Sequence, residues 1–351
     1  MKLLIGGSSS KFFHLKEFAD SLETHGVTSK VVFDADYADG FPSRKIGKWV
    51  SNNLRFKKLI NEFEPDLILV DRQRHFGLEA SKTKIPLLIH LRGNHWKELE
   101  MAKNTLYKSF PKNIAINKWE EIAEICFKKS EIIFPICEHL NEIVKKRYPE
   151  KQTSVLYTGI KSDYWFESKG MKLKHPCVGL VQGAVIQEKT KELLTLTKVL
   201  EKMPEVTFYW VGDGPYANEV LPTLQKYDNF KWLGSLDYPK GVREFLTEID
   251  AYALLSGIDM SPLTLLEAQL MKKPTIATNV GGIPELMMDK ETGFLINKGD
   301  YNKLFEYLTE ILGDTKKSRI MGENGRKFVE ENFSWEKRAN EFMNSVKGLV
   351  K

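Results

Sequence analysis

Cysteine is scarce in these 351 residues: there are three, Cys126, Cys137 and Cys177. An odd number without metal-ligand spacing argues against a disulfide framework or a zinc site and fits a reducing cytoplasm. Long apolar runs are missing as well. No stretch approaches the roughly 18 residues needed to span a bilayer. Leu3-Leu4-Ile5, followed by glycine and serine, is too short for a secretory signal core. A cytoplasmic protein is expected, soluble or peripheral to a membrane. Low-complexity tracts and internal repeats are absent. The formal net charge is only +5, but residues 1–170 carry 28 Lys and Arg against 22 Asp and Glu. This bias suits an anionic membrane or substrate. It is too small to argue for nucleic acid, and no nucleic-acid motif is seen.

What is there is an ordinary globular composition, 42% apolar and 11% aromatic, in a chain longer than one core usually supports, so two domains are expected. Short apolar runs alternate with helical stretches. Met1–Gly7, Pro65–Val70, Pro86–Leu91 and Ile132–Ile136 read as strands of a parallel sheet buried on both faces. Val178–Gly183, Val206–Val211, Phe230–Gly234 and Ala251–Leu255 read as strands of a second. Several runs end in polar clusters, Asp71-Arg72-Gln73-Arg74-His75 and His90-Leu91-Arg92-Gly93-Asn94-His95. Such clusters belong at the carboxyl edge of an open sheet, where ligands bind. Gly6-Gly7, Gly183 and the Gly212-Asp213-Gly214-Pro215 turn are candidate close approaches of backbone to phosphate. Asp34-Ala35-Asp36 is formally a metal-binding Asp-x-Asp, and a solvated turn is the favoured reading. Trp96, Leu99, Ala102, Leu106 and Phe110 recur at helical spacing beside Lys97, Lys103 and Lys108. That stripe suits a membrane-facing helix or, the favoured reading, a face packed on its own domain.

The most informative stretch is Asp259-Met-Ser-Pro-Leu-Thr-Leu-Leu-Glu267. It follows the apolar run Ala251–Leu255 and leads into an apolar helix ended by Pro274. Ser261 suits an N-cap and Pro262 the first helical position, which places the amides of Leu263 and Thr264 where an anion is well received. Asp259 and Glu267 lie eight residues apart, roughly 12 Å along a helix, further than the 5 to 9.5 Å of a glycosidase pair. They suit two clamps on one long ligand better than an acid/base dyad.

This stretch, with Asn279-Val280-Gly281-Gly282-Ile283-Pro284-Glu285 and Thr292–Ile296 behind it, resembles the donor region of the retaining glycosyltransferases of family 4, over roughly 120 residues in order. The resemblance implies a GT-B fold, two doubly wound α/β domains. An acceptor-side domain would span 1–165, a nucleotide-sugar domain 166–333, and a helix over 334–351 would cross back to the first. It implies a metal-independent hexosyltransferase with no cofactor, taking a nucleoside diphosphate sugar as donor and a glycan, lipid-linked or small-molecule acceptor. Lys189 matches the family's diphosphate lysine, while Ala184 stands where the family has an arginine. Asp259, in place of the family's first glutamate, and His90 would hold the donor sugar. Glu267 would take the ribose. Gly6, Gly7, Gly183, Gly212, Gly214 and the segment Ser261, Pro262, Leu263 and Thr264 would lie along the donor. Arg72, His75 and Arg92 are acceptor-side candidates. The departures at 184 and 259 keep two rivals open, a non-catalytic GT-B binding protein and a nucleotide-sugar epimerase.

Overall fold

The computed structural model describes residues 1–43 and 53–349. The chain forms two compact units, Met1–Gly159 with Trp335–Lys351, and Ile160–Ser334. Each is built on one six-stranded sheet.

The first sheet contains β1 (Lys2–Gly7), β2 (Thr28–Phe33), β3 (Leu67–Val70), β4 (Leu87–Leu91), β5 (Ile132–Pro135) and β6 (Gln152–Thr153), in the order β2-β1-β3-β4-β5-β6. All its pairings are parallel. The runs LILV, LLIHL and IIFP are buried throughout, as expected of strands covered on both faces. The helix Phe12–Glu23 connects β1 to β2 and buries Leu15, Phe18, Ala19 and Leu22. The terminal helix Trp335–Val346 joins the same core. Phe342 meets Phe18 edge to face at 5.3 Å, and the Trp335 indole N–H donates to Glu17 Oε2 at 3.1 Å.

Three expectations change in this unit. Gly6 and Gly7 are not a turn: they are the last residues of β1, in register with Val32 and Phe33. Their lack of a side chain admits Phe76, whose ring would lie 2.6 Å from a Cβ at Gly6, and Leu15 at Gly7. Asp34 is not a solvated turn residue, because it is buried at the start of the short helix Asp34–Tyr37 and accepts from Arg72. The 96–110 stripe is not one helix. The helix His95–Asn104 stops short of Leu106 and Phe110, leaving those two 45% and 76% exposed. Trp96 lies 5.3 Å from Phe127 with the Arg147 guanidinium 4.7 Å over its ring. No helix among the described residues is long and apolar enough to cross a membrane.

The second sheet contains β7 (Cys177–Val181), β8 (Thr207–Val211), β9 (Phe230–Gly234), β10 (Ala251–Leu254), β11 (Thr275–Thr278) and β12 (Gly293–Ile296), in the order β12-β11-β10-β7-β8-β9. It too is parallel throughout. Its core includes Leu180, Phe208, Trp210, Ala253 and Ile276. The unit begins at Ile160, not near residue 166, because the Ile160 amide donates to Phe333 at 2.8 Å and the buried Trp165 gives its carbonyl to Arg326 at 2.8 Å. The segment from Ile160 to Trp165 is therefore tied into the second unit by hydrogen bonds.

Candidate active site

In the second sheet the strand order reverses between β7 and β10, and such a reversal opens a crevice outside the strands' carboxyl ends. Gln182-Gly183-Ala184 leaves β7 there and Leu255-Ser256-Gly257 leaves β10. The Gln182 side-chain amide donates to the Leu255 carbonyl at 2.8 Å and joins the two exits. Gly212 and Gly214 hold φ of 144° and 153°, a region L side chains avoid. A Cβ on them would strike the carbonyls of Gln182 and Ala184 respectively. These two glycines let the loop after β8 lie flat on the loop after β7. Gly183 has no such need, since nothing lies within 3.6 Å of its Cβ position and Asp213 O is nearest at 3.7 Å.

The loop after β10 leads to the helix Leu263–Leu270, capped at Pro262. Ser261 is not its N-cap, and its buried Oγ has no partner. The opening amides of the helix, those of Leu263 and Thr264, have no intrahelical acceptor. Asp259 is fixed by its own backbone: its carbonyl accepts from Gly282 at 3.1 Å, and its Oδ1 accepts from the Met260 amide at 3.0 Å. Gly281, at φ 56°, leaves room for that carbonyl. Gly257 lies against the Glu188 carbonyl, bringing this loop beside the helix Gln187–Lys191. Lys189 Nζ there forms an ion pair with Asp259 Oδ2, both side chains mostly buried. Lysine and aspartate, assigned from sequence to different parts of one ligand, are each other's partners here.

Glu267, on the same helix, is only 1% exposed. Tyr238, which sequence reasoning missed, donates its hydroxyl to Glu267 Oε1 at 2.9 Å, while Oε2 has no partner. Burial raises this carboxyl to about 8, and the Tyr238 hydrogen bond opposes the rise. Gln182 Oε1 is a second buried acceptor without a partner. Buried polar atoms are nearly always satisfied, so both oxygens are candidates to accept from a ligand's hydroxyls. Ala184 is 1% exposed and belongs to the core, so no cation can be read onto its position.

The first sheet reverses at β1 and β3, and its carboxyl edge collects Ser8, Asp71, Arg72, Gln73, Arg74 and Arg92 around a cavity of about 370 Å³. Arg72 grips Asp34 through Nε and an Nη at 2.9 and 2.5 Å. Arg92 pairs with Asp71. His75 is buried, donates to the Phe41 carbonyl at 3.0 Å, and has its pKa lowered, chiefly by burial. It lines a second cavity of about 620 Å³ that shares Ser8, Arg72 and Arg74 with the first. His90 departs from expectation. It lies inside β4, 5% exposed, donates Nε2–H to the Leu156 carbonyl at 2.9 Å, and is held neutral, near 3, by burial and then by Arg92. It lines neither cavity and serves as a strut between β4 and the segment beyond β6. Among the described residues, the group of potential metal ligands, His175, Cys177 and Asp250, sits at the opposite, amino-terminal edge of the second sheet.

Two parallel six-stranded α/β units with sites at their switch points make this a GT-B protein. Two solved structures share that fold along both full chains. Sucrose-phosphate synthase from Thermosynechococcus elongatus aligns at a TM-score of 0.77 with 15% identity, covering 99% of each chain. HepE from Anabaena in complex with UDP aligns at 0.70 with 17% identity, covering 99% of this chain and 100% of that one. Residues 162–328, just under half of the chain, match the family Glycosyl transferases group 1. The N-acetyl-alpha-D-glucosaminyl L-malate synthase of Bacillus anthracis is 28% identical over 61% of this chain and 59% of its own length. A glycosyltransferase of Methanocaldococcus jannaschii is 24% identical over 74% of this chain and 68% of its own.

Proposed function

We propose that the protein is a retaining glycosyltransferase that moves a hexosyl unit from a nucleoside diphosphate sugar to an acceptor hydroxyl. The observation that carries this reading is the second-unit crevice. One lysine and a helix amino terminus stand there beside acceptors left without hydrogen, Gln182 Oε1 and Glu267 Oε2. A diphosphate suits the cation and the amides, and the hydroxyls of a sugar and a ribose suit the acceptors.

In the reaction, the acceptor oxygen bonds to the anomeric carbon on the face from which the diphosphate leaves. The carbon–oxygen bond to the diphosphate breaks with its electron pair going to phosphate, and the acceptor's proton passes to a diphosphate oxygen. Lys189 and the amides of Leu263 and Thr264 stabilise the charge that develops on the leaving group. For this Lys189 turns from Asp259 to phosphate, which frees Asp259 to accept from sugar hydroxyls. Glu267 takes the ribose hydroxyls. Neither a protein nucleophile nor a metal enters this scheme. Support for the donor class comes from HepE, solved with UDP and glucose, and from a further neighbour, TarM, solved with UDP and alpha-GlcNAc-glycerol.

The test is release of nucleoside diphosphate from a panel of UDP- and GDP-sugars, with and without EDTA. Slow acceptor-free hydrolysis that survives EDTA is expected. Tight binding without bond cleavage would instead identify a non-catalytic binder, an epimerised nucleotide sugar would identify an epimerase, and metal-reversible loss would remove the metal-free scheme.

A further inference from the structure

The first unit's carboxyl edge gathers four cations, Lys11, Arg72, Arg74 and Arg92. Asp71 and Glu98 line the same cavity, and Asp34, Asp36 and Asp39 line the cavity beside it. Arg72 and Arg92 are committed, to Asp34 and Asp71 respectively. Arg74 has no ion pair among the described residues. Its guanidinium lies 4.2 Å over the Trp119 ring, and the indole is itself anchored by donating to the Pro42 carbonyl at 3.2 Å. Burial and the neighbouring Arg72 lower its pKa to about 10, so it stays charged at neutral pH. Beside it Gln73, nine-tenths buried, carries a side-chain amide nitrogen that donates to nothing. A half-buried cation without an ion pair and an idle buried donor at one cavity are costly unless an anion completes them.

We infer that this cavity binds an anionic group, a carboxylate or phosphate, carried by the acceptor. Arg74 is its counter-ion, Gln73 donates to it, and the Trp119 ring holds the guanidinium plane. Planar guanidinium suits both oxyanions, and a ring beneath it fixes the fork without neutralising it. The cavity of about 370 Å³ suits a small acid or a headgroup. The two committed arginines form the walls, so the specificity-determining residue is Arg74. Identifying the ligand as the acceptor rests on the glycosyltransferase reading; the anion site itself does not.

The test measures binding to the full-length protein by calorimetry at fixed ionic strength. The probes are tartrate, glycerol 3-phosphate and phosphatidylglycerol vesicles, with UDP as a separate ligand. At least one anionic probe should bind, Arg74→Gln should weaken it about 10- to 100-fold, Arg74→Lys should restore part of the loss, and UDP affinity should be unchanged. A preference for tartrate or glycerol phosphate identifies a small acceptor, and binding of vesicles alone identifies a lipid headgroup. If Arg74→Gln fails to fold, Gln73→Leu serves, with a smaller loss of the same sign. Anionic probes that all fail to bind, or that bind equally well to wild type and both variants, would overturn the inference. Failure of UDP to bind while the anion arm succeeds would instead count against the donor assignment.

Discussion

Glu267 links donor binding to a proton. Its carboxyl sits near 8 because it is buried, so at pH 7 roughly nine in ten molecules hold it protonated, one pH unit below its pKa. Ribose hydroxyls donate more strongly to the carboxylate than to the neutral acid. Binding that selects the carboxylate should release up to about 0.9 proton per nucleoside diphosphate at pH 7, and ionisation subtracts about 1.4 kcal/mol from the affinity there. Affinity should rise about tenfold per pH unit below pH 8 and level off above it. Calorimetry of UDP and GDP in two buffers of different ionisation enthalpy reads the released proton directly. Glu267→Gln removes both the proton release and this pH dependence. The same burial acts on stability. The folded state keeps a proton that the unfolded chain loses near pH 4.5, so this group's stabilising share is complete below that and declines as pH rises toward 8, by up to about 1.4 kcal/mol per unit. The stability of Glu267→Gln relative to wild type should improve across that window. Equal proton release by wild type and variant would refute the ribose assignment, and parallel stability curves would refute the raised pKa.

Lys189→Ala should lower turnover by about 10² to 10³, the usual loss for one preorganised stabiliser of developing charge; near-normal single-turnover rates would show that other groups meet the leaving diphosphate. Ala184→Arg should destabilise the second unit by more than the roughly 1 to 3 kcal/mol of simple overpacking, because a charge would enter a core position; an unchanged urea midpoint would deny that Ala184 is core. His175 donates to Asp250 at 2.9 Å and Glu248 at 3.0 Å, bonds that raise its pKa, Asp250 first. Its contribution to stability should be complete below about pH 6.5 and fade as pH climbs through the raised value, so His175→Gln should flatten denaturation midpoints measured from pH 6 to 9.

The sequence by itself determined the parallel centre of each sheet, though not all six strands of either. Runs such as Leu67–Val70 and Ile132–Ile136 are too short and too apolar to be anything but strands buried on both faces, and the helix–strand alternation between them requires parallel order. It also determined that Lys189, Asp259 and Glu267 belong near the carboxyl edge of the second sheet, because each follows a strand by a loop or a helix turn. Tertiary structure decided the rest, since charge and polarity are settled by neighbours distant in sequence. Sequence spacing gave no sign that Lys189 and Asp259, seventy residues apart, share an ion pair, or that Tyr238 closes on Glu267 and leaves one oxygen bare. His90 had the polar-cluster signature of a ligand-binding residue, yet Leu156, sixty-six residues away, claims its N–H. Gly6 and Gly7 looked like a phosphate turn until Phe76 and Leu15 filled the space they leave. Arg72, Arg74 and Arg92 are equivalent letters in the chain, and only the fold hands an aspartate to two of them and an indole ring to the third.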